Sequence, residues 1–178
     1  AQMEFAPVSA ARQAQVGEFR LQNNELPPAL AHFEQALELE PAGLQGLDGQ
    51  AVAWKKQGQT EKATANWLKL LASQEELFSF PKLQRVLERV REFKLEATFR
   101  EPVEKFLKTY VKRNQTYGIG VVLPPALKLF GSAEEKVALL TRLAAQTETF
   151  PFVEQLLRLP AIDASRLSIQ PLYEAAIA

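Results

Sequence analysis

The chain of 178 residues has no cysteine and a single histidine. Without cysteine there are no disulfides, no thiolate metal sites and no cysteine nucleophile. His32 has no second histidine to join it, so a metal site would rest on carboxylates. No Gly-x-Ser-x-Gly elbow marks a serine for it to activate. Long apolar runs are also missing. The nearest candidate for a membrane span, Tyr117 to Phe130, is too short and holds two prolines. No stretch alternates apolar and polar residues between hairpin turns, which argues against a sheet. No charged-then-apolar leader is visible at Ala1, which points to the cytoplasm. The periplasm or cell envelope is the alternative if Ala1 follows a removed signal peptide.

Apolar residues make up 47% and charged residues 24%, values of an ordinary folded protein rather than a disordered chain. Lys and Arg balance Asp and Glu at 21 each, but unevenly along the chain. Residues 1–81 carry six basic and ten acidic residues. Residues 82–113 carry ten basic and five acidic residues, a basic island between acidic neighbours.

Almost every segment has the spacing of a helix. The first is expected over residues 8–22, closed at Asn23-Asn24, because Asn tolerates the left-handed conformation. The second starts near Pro27-Pro28, where proline suits a first turn, and ends before Pro41. The third spans 43–57 and stops at Gly58. The fourth follows Thr60, a candidate N-cap, and runs to Ala72. Along these helices Ala29, Phe33 and Ala36 recur as Ala63, Trp67 and Leu70 after 34 residues. A small residue followed by a large aromatic lets two antiparallel helices approach and lock. A period of that length built from helix, turn and helix marks a stacked repeat array.

On these residues the chain resembles the tetratricopeptide repeat family over 10–43 and 44–77. Gly17, Ala29, Phe33, Ala36 and Pro41 fall on the first repeat's signature. Leu47, Ala51, Trp54, Gly58, Ala63 and Trp67 fall on or near the second's. Arg20, Gln50 and Glu75 depart from it. The resemblance implies an all-α fold: a right-handed stack of antiparallel helix pairs, or α-solenoid, over residues 1–77. Residues 78–178 would be a helical extension that packs on the stack or continues it. It also implies a non-catalytic scaffold or adaptor without cofactor or metal. A protein or peptide partner would lie against the first helix of each repeat, at Ala11, Ala14, Glu18, Leu21 and Gln22, then Gln45, Asp48, Val52, Lys55 and Lys56. Lys55 and Lys56 suit a partner carboxylate, and Leu21 and Val52 an apolar side chain. Both tryptophans are expected in the core.

Residues 78–178 do not continue the signature at the same interval, where only Ala97 fits. Apolar stripes at Leu83, Val86, Leu87, Val90 and Phe93 and at Val103, Phe106, Leu107, Tyr110 and Val111 still predict helices. Ser132 to Glu135 fits a capping box ahead of Val137, Leu140 and Leu143. A further stripe follows at Val153, Leu156 and Leu157, with short helices after Asp163 and Pro171. Tyr117 to Pro125 is expected to be irregular, because its glycines and prolines oppose regular structure.

Other motifs carry little chemistry. Gly118-Ile-Gly120 lacks the strand, third glycine and lysine of a phosphate loop. The pairs Glu38/Glu40, Glu75/Glu76 and Glu134/Glu135 fit helix ends better than a catalytic cleft. The basic island, Lys82 to Arg113, supports an alternative class: a helical binder of nucleic acid or another anionic surface. Interleaved Glu88, Glu92, Glu96, Glu101 and Glu104 favour a solvated face. An acidic first half and a basic hairpin could also bring two copies together.

Overall fold

The computed structural model describes residues 9–73, 80–112 and 116–144. All regular structure among them is helical: α1 (Ala10–Gln22), α2 (Leu26–Leu39), α3 (Leu44–Lys56), α4 (Thr60–Ala72), α5 (Phe80–Glu92), α6 (Glu96–Lys112), α7 (Thr116–Leu127) and α8 (Ala133–Ala144). The stripe at Val153 to Leu157 and the helices expected after Asp163 and Pro171 lie outside the described residues. The chain divides into two compact units, residues 1–82 and 83–178.

In the first unit α1 pairs with α2 and α3 with α4, while α3 also packs against α1 and α2. Ser9 caps α1, its hydroxyl accepting from the Arg12 N–H at 3.2 Å. The expected cap Thr60 is instead the first residue of α4, with Gln59 before it. The Thr60 hydroxyl accepts from Lys55 Nζ at 2.9 Å. Phe33 is fully buried, and its ring lies where Cβ atoms on Gly17 and Gly49 would stand, at 2.7 and 2.2 Å. Neither glycine can be larger without displacing the ring, so α2 seats against both α1 and α3. Trp67 is also fully buried. Each of these two rings contributes about 2–3 kcal/mol of apolar burial. α3 is buried through eight consecutive residues, Gly46 to Ala53. Trp54 departs from expectation: it is half-buried, with Lys62 Nζ 5.7 Å above its ring.

One turn closes both hairpins. Asn24 (φ 60°) and Gly58 (φ 78°) are left-handed. The Asn24 and Glu25 N–H groups bond back to Leu21 and Arg20, as Gly58 and Gln59 do to Lys55 and Trp54. The same turn closes α5 to α6: Lys94 has φ 55°, and Lys94 and Leu95 bond back to Arg91 and Val90. The first helices of the three hairpins are each 13 residues long and start at Ala10, Leu44 and Phe80, 34 and then 36 residues apart.

At an offset of 36, buried Leu47, Ala51, Ala63, Trp67 and Leu70 map onto buried Leu83, Leu87, Phe99, Val103 and Phe106. The pattern therefore persists with two residues added and its sizes reversed, Phe99 for alanine and Val103 for tryptophan. Ala97, which fits an unbroken interval, is exposed.

In the second unit α6 packs against α7 and α8. The expected irregular segment Tyr117 to Pro125 is helical, with Pro124 and Pro125 inside α7. Val122, Leu123, Ala126 and Leu127 lie on one side and are buried. Their helical spacing outweighs two main-chain bonds lost to proline close to the helix end. The Ser132/Glu135 capping box forms as expected, with the Glu135 N–H donating to Ser132 Oγ at 3.1 Å and the Ser132 N–H to Glu135 Oε2 at 3.3 Å.

Candidate functional site

The residues expected to meet a partner fall on α1 and α3, in three environments. Ala11, Glu18, Gln22, Gln45 and Lys56 are exposed, Leu21 and Lys55 are half-buried, and Ala14, Asp48 and Val52 are buried. Asp48 is engaged inside the α3–α4 pair, where its Oδ1 accepts from Trp67 Nε1 at 3.0 Å. Beside it Asn66 Nδ2 donates to Gln50 Oε1 at 2.8 Å. Both buried polar side chains on α3 are thus met by α4, which fixes the rotation of one helix against the other.

Three of the expected residues come together. Ala11, Ala14 and Gln45 line a cleft of about 210 Å³ with Ala10, Ala36, Glu40, Gly43, Leu44 and Gly46. The cleft lies at the N-terminal ends of α1 and α3 and at the C-terminal end of α2. It exists because the first hairpin has alanine at positions 10, 14 and 36, where the second has Leu44, Asp48 and Leu70. Those alanines were legible in the sequence. The part of Glu40 was not, because it depends on where the α2–α3 connection turns. A shallower depression is lined by Glu34, Leu37, Glu38 and Gln50.

His32 is half-buried, with its Nδ1 2.8 Å from Gln13 Oε1, and so ties α2 to α1. Among the described residues no three His, Asp or Glu side chains come close enough to hold a metal ion. No helix among them is long and apolar enough to cross a membrane.

Four of the basic residues of 82–113, Arg85, Arg89, Arg100 and Lys108, form ion pairs among the described residues. Arg89 meets Glu92 at 2.6 Å, Lys108 meets Glu104 at 2.8 Å and Arg100 meets Glu135 at 2.8 Å. Arg142 grips Glu104 with two bonds of 2.7 Å. Those bonds hold the Glu104 carboxyl down to about 2, with Lys108 adding to the effect against the opposing influence of burial. Glu135 is held below the ordinary carboxylate range by the Gly131 and Ser132 N–H groups, and Glu134 by its own N–H and the Ser132 hydroxyl. This pair is therefore occupied with helix capping. Glu75 and Glu76, like Gly118 to Gly120, fall where no side chain is described.

No family model matches the chain, and no curated protein matches it.

Proposed function

We propose that the protein is a non-catalytic interaction scaffold of the tetratricopeptide-like kind. In this reading its antiparallel helix pairs stack with a right-handed twist, and a peptide or protein segment lies along α1 and α3. The observation that carries the reading is the open cleft between those helices, lined by Ala11, Ala14 and Gln45. Leu21 and Gln22 on α1, with Lys55 and Lys56 on α3, would meet the same segment further along the helices. The repeated hairpin supports this, since stacked repeats of this kind build extended surfaces for chain-like ligands. The ion pairing of the basic segment favours a solvated face there over a polyanion site.

The test is affinity capture from the native host with the full chain, followed by mass spectrometry, comparing the unaltered protein with Lys56→Glu and Lys69→Glu. Lys56 is exposed on α3 and Lys69 is exposed on α4. The reading expects a protein whose recovery falls with Lys56→Glu and holds with Lys69→Glu. Equal recovery by all three would remove the α1–α3 face as the binding site.

A further inference from the structure

The α1–α3 cleft is lined mostly by alanine and glycine, with Leu44, Gln45 and a single charged residue, Glu40, among them. Ala10, Ala11 and Ala14 line it from α1, Ala36 from α2 and Gly46 from α3. Ala14 and Ala36 are 2% and 3% exposed and have no side-chain rotation that could close the cleft. The cleft is open to solvent and has a volume of about 210 Å³. Glu40 itself is exposed and makes no ion pair among the described residues. Residues 1–81 around it carry an acidic excess, ten acidic against six basic residues.

We propose that this cleft takes a lysine or arginine side chain of the bound segment, the aliphatic stem against the alanines and the cationic head at the Glu40 carboxylate. The inference rests on the scaffold reading above and specifies the chemistry of one subsite within it. A long side chain with an apolar stem and a charged tip complements such a cleft, since its stem can lie on the alanines and its tip can meet the one acid there. The anionic alternative, a partner carboxylate at the uncapped start of α3, would have to sit beside Glu40. The Glu40 Oε2 already lies 3.2 Å from where a Cβ on Gly43 would stand. An incoming carboxylate would therefore meet like charge.

The test uses the full chain, isotopically labelled, and Nα-acetyl-lysine N-methylamide as probe, followed by amide chemical shifts at low salt. The corresponding norleucine and glutamate amides are the controls. The lysine probe is expected to shift Ala11, Ala14, Gln45 and Gly46 and to bind about three-fold or more tighter than norleucine. Glu40→Gln should erase that difference, and Glu38→Gln should keep it. Ala10→Leu, which places the leucine found at the matching position of the second hairpin, should abolish the shifts. Equal binding of norleucine and lysine, a preference for glutamate, or no shifts in the cleft would each overturn the proposal. Were the cleft to fail while Lys56→Glu still lowered partner recovery, this inference would fall and the scaffold reading would stand.

Discussion

Replacing Gly49 with alanine sets two calculable effects against each other. Alanine inside a helix is favoured over glycine by about 1 kcal/mol, so α3 alone would gain. The added methyl, however, would stand 2.2 and 2.3 Å from Phe33 Cε1 and Cζ. Carbon atoms at rest sit ~3.5–4 Å apart, so the ring would have to retreat by more than an ångström. It has nowhere to go, because a Cβ on Gly17 would already be 2.7 Å from Phe33 Cε1 and the ring has no solvent-exposed surface. Overpacking a filled core costs typically ~1–3 kcal/mol, at the upper end for a contact this close, which leaves a net loss of about 1–2 kcal/mol. Urea unfolding followed by far-ultraviolet circular dichroism would register it as a lowered midpoint. In a Phe33→Leu background the same change should cost little or become stabilising, a coupling of about 2 kcal/mol between the sites. A raised midpoint for Gly49→Ala in the unaltered background would refute the packing argument.

Four further substitutions have expected outcomes. Trp67→Phe keeps most of the ring but deprives the buried Asp48 carboxylate of its Nε1 donor, and should cost about 2 kcal/mol in the same urea assay. Lys94→Gly should stabilise the protein by about 0.5–1 kcal/mol, because lysine stands there in the left-handed region, whereas Gly58→Ala should destabilise it by a similar amount. The Glu104 carboxyl is depressed from 4.5 to about 2 in the folded protein, so its contribution is complete above ~5 and is lost as pH falls toward ~2. Glu104→Gln should accordingly flatten the fall in thermal stability of the full chain over that window, and an unchanged pH profile would show that the Arg142 pair does not hold α8.

The first two hairpins were legible because their determinants are local. Asn24 and Gly58 announce the turns, and the alanine–aromatic spacing announces the buried seam. The two helices of the third hairpin were legible from their apolar stripes, but its match to the first two was hidden by one change of interval and one exchange of size: Phe99 occupies the alanine position and Val103 the tryptophan position. Lys94 gives no turn signal, since lysine is rarely left-handed, yet it adopts φ 55°. α7 was hidden for the opposite reason. Gly118, Gly120, Pro124 and Pro125 spell a loop locally, while burial of Val122, Leu123, Ala126 and Leu127 imposes a helix. Of the positions expected to meet a partner, the exposed ones followed from helix register, but the burial of Ala14, Asp48 and Val52 did not. Their burial comes from the packing between helices, which no single helix encodes. Trp54 shows the converse, since its size suggested the core and the structure leaves it half-covered.

Site-specific photo-crosslinking tests the central claim most directly. A benzophenone side chain is placed in turn at Gln22 and Gln45, exposed on α1 and α3, and at Gln35 and Lys69, exposed on α2 and α4. Irradiated with the captured partner, the first two positions are predicted to form the adduct and the second two to remain free of it. Adducts from Gln35 and Lys69, with none from Gln22 and Gln45, would place the partner on the other helices and contradict the account.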